Sequence, residues 1–150
     1  MTKLKKGDKA PTFKGKDQDG NIISLEDFRG NKLVLYFYPK DSTPGCTSQA
    51  CNLRDNYELL LEKGYKVVGV SADSEKSHKK FIEKNNLPFP LIADTEKEIL
   101  QAFDVWGLKK FMGREYMGIN RTTFVINEEG VIEEVIEKVN TKDHTAQIVG

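Results

Sequence analysis

The stretch Tyr38-Pro39-Lys40-Asp41-Ser42-Thr43-Pro44-Gly45-Cys46-Thr47-Ser48-Gln49-Ala50-Cys51 decides the fold, because a strand runs into it and a helix runs out of it. The preceding run 33–38, Leu-Val-Leu-Tyr-Phe-Tyr, is continuous and apolar, which suits a central strand buried on both faces. From residue 45 to about residue 62 the pattern is that of one long amphipathic helix. Thr43 stands where an N-cap is expected, and Pro44 at the first helical position loses no hydrogen bond that the helix would have made. Gly45 leaves open space beside Cys46, which falls in the first helical turn.

Both cysteines of the chain lie in this stretch. A thiol in a first helical turn faces unpaired backbone N–H groups and the positive end of the helix dipole, and both favour the thiolate, the nucleophilic form. The plainer alternative is that Cys46 is a small buried apolar residue, as free cysteines often are. Cys51 follows five positions later. On an intact helix that spacing places the two Cα atoms about 8–9 Å apart on different faces, beyond the reach of a disulfide. The spacing therefore predicts either two independent thiols or a redox pair that joins only when the first turns unwind.

A chain of 150 residues is one domain by size and can build a sizeable core. Its 23 basic and 23 acidic side chains cancel, so nothing in the overall charge draws it to nucleic acid or to an anionic membrane. The basic start at residues 3–6 reads as a solvated terminus. No apolar run approaches a membrane span and no secretory signal is seen, so the expectation is a soluble, cytoplasmic protein. Two cysteines are too few for a disulfide scaffold, and a close pair in a reducing compartment points to catalysis or metal binding. No metal is expected, since His78 and His144 lack ligand spacing to the cysteines. Both histidines are expected at the surface.

Taken in order, residues 9–13 begin an extended segment, 17–21 form a turn, and 22–25 form a second strand, giving an N-terminal hairpin. A helical turn is expected at 26–28. Strands at 65–71 and 91–93 alternate with helices at 74–86, where Phe81 and Ile82 face inward, and at 95–103. This β-α-β-α-β-α order implies right-handed crossovers and mostly parallel pairing. Residues 105–118, with Trp106, Phe111, Tyr116 and Met117, read as an irregular loop over one end of the sheet, Trp106 serving mainly in packing. Strands 122–127 and 131–139 flank a Glu-Glu-Gly turn, and a helix at 141–148 closes the chain. The fold class is α/β, a central mixed sheet covered on both faces by helices.

A thiolate that attacks a peroxide needs shelter from bulk water, donors for the peroxide oxygens and a cation for the departing oxygen. Pro39 and Pro44 pack without competing donors, and Thr43 can direct its hydroxyl over the sulfur. The pattern Pro39-x-x-x-Thr43-x-x-Cys46 resembles the active-site signature of the peroxiredoxins. The five-residue step from Cys46 to Cys51 is similar to that of the peroxiredoxin Q subfamily, also called bacterioferritin comigratory proteins. The resemblance extends over nearly the whole chain, through Gly7-Asp8-Lys9-Ala10-Pro11, Val70-Ser71-Ala72-Asp73 and Arg121-Thr122-Thr123-Phe124-Val125-Ile126.

The resemblance implies a single thioredoxin-like domain over 1–150 that reduces hydrogen peroxide and organic hydroperoxides without a cofactor. It implies Cys46 as the peroxidatic nucleophile and Cys51 as the resolving thiol, the two joining in a disulfide that thioredoxin or a similar dithiol reopens. Thr43 and Arg121 would hold the thiolate and the peroxide, and Pro39 would shield the site. A monomer follows from having both thiols in one chain. Gln49 departs from the pattern, since many members carry Glu there, and tuning of the site is expected because an amide still accepts a hydrogen bond. Two alternatives of the same fold stay open: a thiol-disulfide oxidoreductase, whose cysteines are usually separated by two residues, and a non-enzymatic redox sensor.

Overall fold

The computed structural model describes residues 2–150. The first half of the chain runs β1 (Lys14–Lys16), β2 (Ile22–Ser24), a 3₁₀ turn (Leu25–Phe28), β3 (Lys32–Phe37), α1 (Pro44–Asp55), α2 (Tyr57–Glu62) and β4 (Tyr65–Ser71). The second half runs α3 (Glu75–Asn85), β5 (Leu91–Ala93), α4 (Glu98–Ala102), β6 (Trp106–Phe111), β7 (Arg114–Ile119), β8 (Thr122–Ile126), β9 (Ile132–Ile136) and α5 (His144–Val149). Five strands form the main sheet in the order β5-β4-β3-β8-β9. β3 pairs parallel with β4, and β4 with β5, while β8 runs antiparallel to both β3 and β9. The mixed sheet and its parallel half agree with the expected alternation of strands and helices.

The uninterrupted apolar run of β3 makes it the middle strand, because each of its faces meets a separate core. Leu33, Leu35 and Phe37 point to the side that holds Phe13, Ile99, Leu100, Phe103 and Phe124. The rings of Phe37, Phe103 and Phe124 meet there with centroids 5.1–5.8 Å apart. Val34, Tyr36 and Tyr38 point to the other side, against Cys46, Ala50 and Leu53 of α1, Leu60 of α2, Phe81 of α3 and Ile148 of α5. Each fully buried side chain of this size contributes about 1.5–3 kcal/mol. Opposite Tyr36 in the sheet stands Gly69, where a Cβ would come within 2.8 Å of the tyrosine ring. The missing side chain is what leaves room there for the ring and its hydroxyl.

Several boundaries differ from expectation, each for a local reason. The hairpin forms between β1 and β2, a few residues after the expected first strand, and Lys9 instead makes an isolated bridge to Val131. The long helix breaks into α1 and α2 at Asn56, whose side chain donates to the Asn52 carbonyl at 2.8 Å and so competes with the helical ladder. The expected helix at 95–103 shrinks to α4, since the Asp94 carboxylate takes the Leu100 amide at 2.8 Å and residues 94–97 make a turn. The segment read as an irregular loop is a regular two-stranded ribbon, β6 with β7, closed by Met112 and Gly113 in left-handed conformations. The last strand and helix are shorter than expected.

Both histidines, expected at the surface, are fully buried. His144 opens α5, with Nδ1 2.8 Å from Gln147 Oε1 and Nε2 2.8 Å from the Thr123 hydroxyl. Burial pushes its imidazole below the usual histidine range, against the Gln147 bond, and nearby Arg121 pushes the same way as burial. β9 is one outer strand of the sheet. Its start is covered by residues 7–10, where Gly7 N donates to Ile132 O and Ala10 N to Gly130 O.

Candidate active site

The site lies where β3 ends, at the carboxyl edge of the parallel strands, the edge at which open α/β sheets bind ligands. Residues 38–43 leave that edge and enter α1, with Thr43 at the N-cap position in extended conformation. Pro44 and Gly45 form the first helical positions, and Cys46 is the third. Thr43 O accepts the first helical bond, from Thr47 N at 2.9 Å. Cys46 is buried among Val34, Tyr36, Ala50 and Leu53. The cysteine thus sits in an apolar wall at the positive end of a helix.

Arg121 precedes β8, and the register that pairs Phe37 with Thr122 brings it beside the end of β3. Its Nη2 lies 3.3 Å from Cys46 Sγ, and its Nη1 donates to Gln49 Oε1 at 2.6 Å. One planar group is therefore held at two points on one helix, a geometry Lys cannot reproduce. The space expected beside Gly45 is filled by this guanidinium. A Cβ at position 45 would come 3.3 Å from Nη2.

Gln49 is a fuller member of the site than its sequence suggested. Arginine only donates, so the amide oxygen must face it and the amide nitrogen must point away. Gln49 Nε2 is in fact buried without a partner, and the Tyr36 hydroxyl, within the same apolar cluster as Cys46, is the other such atom among the described residues. Burial raises the Tyr36 phenol well above its usual range, with the Cys46 and Asp41 charges adding to the shift. A glutamate at 49 would satisfy the arginine and neutralise it; the amide leaves the positive charge uncompensated.

Thr43 and Pro39 stand beside the cysteine in sequence and bracket the loop. The Thr43 hydroxyl donates to Lys40 O at 2.9 Å and is not directed at the sulfur here. Pro39 is half-buried. Cys51 is half-buried on α1, its thiol 3.8 Å from Asn85 Oδ1 at the end of α3, and both cysteines are free thiols. Sequence reasoning did not find Lys109, which is half-buried on the ribbon and donates to Ile119 O at 2.9 Å. Desolvation lowers its ammonium from the usual range, and Arg121 adds to that while Cys46 opposes it. The irregular-loop reading hid it.

Comparison with known proteins gives the family. Residues 6–135 match the AhpC/TSA family. Among curated relatives, peroxiredoxin Bcp of Bacillus subtilis is 50% identical over 141 residues, covering 94% of this chain and 90% of the relative. Peroxiredoxin Bcp of Escherichia coli K12 is 46% identical over 144 residues, covering 96% and 92%. Among solved structures, peroxiredoxin Q of Xanthomonas campestris superposes with a TM-score of 0.85 at 36% identity, covering 91% of this chain and 86% of that one. A mutant of PrxQ from Xylella fastidiosa superposes at 0.92 with 30% identity, covering 99% and 94%. The fold is the thioredoxin-like one of those proteins. With its matched family, its close relatives and its two thiols in agreement, the chain belongs to the AhpC/TSA family as a peroxiredoxin, a thiol-dependent peroxidase.

Proposed function

We propose that Cys46 is the attacking thiol of this peroxidase and Cys51 the thiol that resolves it, within one thioredoxin-like domain. The observation that carries the reading is the Arg121 Nη2 contact to Cys46 Sγ at 3.3 Å, with the same guanidinium fixed by Gln49. The Cys46 thiolate attacks the outer oxygen of a hydroperoxide; the O–O bond breaks and the departing alkoxide or hydroxide takes up a proton. Cys46 becomes a sulfenic acid, and Arg121 stabilises the leaving charge. Thr43 supplies a hydroxyl to the peroxide once its hydrogen turns from Lys40, and Pro39 keeps bulk water out.

The Cys51 thiolate then attacks the oxidised sulfur, forming a disulfide and releasing water. Since both cysteines belong to the intact helix α1, its first turns unwind for this step. Thioredoxin or a similar dithiol returns both thiols and is itself oxidised to a disulfide. One chain holds both cysteines, which supports a monomer, and a thiol pair that must be reduced after each turnover suits the reducing cytoplasm; among the described residues no helix is long and apolar enough to cross a membrane. Hydrogen peroxide and organic hydroperoxides are the substrate class. Cys46→Ser is expected to abolish peroxide consumption, and Cys51→Ser to leave one turnover of oxidation while ending thioredoxin-linked cycling. Mass analysis of the peroxide-treated protein on a non-reducing gel should give a monomer that has lost two hydrogens, and a covalent dimer would refute the intramolecular step.

A further inference from the structure

Asp41 is buried although its neighbours Lys40 and Ser42 are exposed. Its Oδ1 accepts from the Tyr38 hydroxyl at 2.6 Å, and its Oδ2 accepts from the Ser77 hydroxyl at 2.8 Å and faces His78 Nδ1 at 2.7 Å. The other ring nitrogen of His78 lies 2.9 Å from the Ile92 carbonyl oxygen. A carbonyl oxygen only accepts, so Nε2 carries a hydrogen. One proton lies between Nδ1 and Asp41 Oδ2. His78 and Asp41 thus share a short hydrogen bond, their side chains 0% and 3% exposed.

The Asp41 main chain is held as well. Its N–H donates to Asp73 Oδ2 at 2.8 Å, and that oxygen also takes the Ser71 hydroxyl at 2.7 Å. Asp41, Asp73 and His78 bring possible ligand atoms within 4.8 Å of one another, and the hydrogen bonds just named account for each of them. The loop is therefore fastened to β4, β5 and α3, on the β4 flank of β3, whereas Arg121 comes from the β8 flank. The next residue, Ser42, has φ of 64°, a conformation that a non-glycine residue keeps only where its surroundings enforce it.

A buried polar pair adds little to stability compared with apolar residues of the same shape, while fixing one geometry. The geometry fixed here is that of the loop 39–43, which carries Pro39 and Thr43 from the end of β3 into α1. We propose that the Asp41–His78 pair is a positioning device that holds the loop 39–43 where it enters α1 and so sets the rate of peroxide attack without touching peroxide or sulfur. The inference rests on Cys46 being the attacking thiol.

The test compares two reactions of the same sulfur in the full-length protein. Hydrogen peroxide needs the loop to orient it, whereas iodoacetamide needs only an accessible thiolate. Asp41→Asn and His78→Gln are expected to lower the second-order rate constant with peroxide about tenfold or more, with alkylation within about twofold of the unaltered protein. Ser77→Ala, which removes one hydrogen bond and no charge, is expected to lose about threefold with peroxide only, and decides the matter if the charge variants do not fold. In the unaltered protein, nitrogen NMR should find His78 Nε2 protonated. Folded variants with unchanged peroxide rates, or with peroxide and alkylation falling in equal proportion, overturn the proposal. Cys46→Ser run in parallel separates the two layers: turnover retained there refutes the attacking thiol, and turnover lost there with Asp41 variants unaffected refutes the positioning pair alone.

Discussion

Adding one methyl group at Gly45 sets two consequences of the active-site geometry against each other. Gly45 occupies the second position of α1 and does not have a positive φ, so alanine fits the backbone and strengthens the first turn by up to about 1 kcal/mol. The new Cβ would stand 3.3 Å from Arg121 Nη2, which itself lies 3.3 Å from Cys46 Sγ. Relaxing that contact to about 3.7 Å moves the guanidinium by about 0.4 Å. If it moves directly away from the sulfur, the attraction at an effective dielectric of about 20 falls from about 5.0 to about 4.5 kcal/mol, close to a 2.5-fold effect. Gln49, gripping the other nitrogen at 2.6 Å, keeps the group from leaving altogether.

The same methyl group acts on the step that follows. A first turn that is about 0.5–1 kcal/mol more stable opens about two- to fivefold less often, and disulfide formation slows by that factor. Gly45→Ala should therefore melt higher while oxidising and closing its disulfide more slowly. Stopped-flow fluorescence of Trp106, the one tryptophan, follows both steps after mixing with peroxide, and calorimetry gives the midpoint. A stabilised variant that closes its disulfide at the original rate refutes the unwinding of α1. One that meets peroxide at the original rate removes Arg121 from charge stabilisation.

Arg121→Gln, which keeps a donor and loses the charge, should lower kcat/KM for hydrogen peroxide by about 10²- to 10³-fold, and a loss below tenfold would contradict its assigned part. Gln49→Glu replaces the unpartnered Nε2 with an oxygen and neutralises Arg121, so the thermal midpoint should rise while peroxide reduction slows about two- to tenfold; a change in neither refutes the account of the amide. Because His144 is held neutral and its pKa lies below the usual histidine range, its contribution to stability is complete above about pH 6.5, the unfolded value, and is lost as pH falls through the folded value. The melting temperature should drop as the pH falls below about 6.5 in the unaltered protein and drop less in His144→Gln; parallel curves would refute the assignment.

The central strand and the helix start were legible because they are local. An unbroken apolar run and a Thr-Pro-Gly-Cys sequence state their own structure within a few residues. Arg121 was legible only through family resemblance, because the β3–β8 register joins positions 75 residues apart and no local pattern encodes that. Asp41 and His78 defeated composition rules for a related reason: each looks like a surface residue alone, and burial becomes affordable only once the other is opposite. The ribbon at 106–119 was missed because its turn is Met112-Gly113, with a methionine where Asn or Asp is the usual sign, and because its outer half buries too little to show an alternating pattern. Asn56 broke the long helix through a side-chain bond that periodicity does not register.

The covering of β9 by residues 7–10 bears on how the protein behaves at high concentration. An outer strand offers unpaired backbone groups to any other chain, and a formal net charge of zero supplies no long-range repulsion to keep copies apart. Two local devices stand in for that repulsion: the bridge from Lys9 to Val131 occupies the first part of the edge, and Glu133, Glu134 and Glu137 make the rest of it acidic. Trimming the chain to begin at residue 11 would leave the peroxidase centre whole and open the edge, so such a protein should scatter light and precipitate near its isoelectric point long before it loses its thiol chemistry.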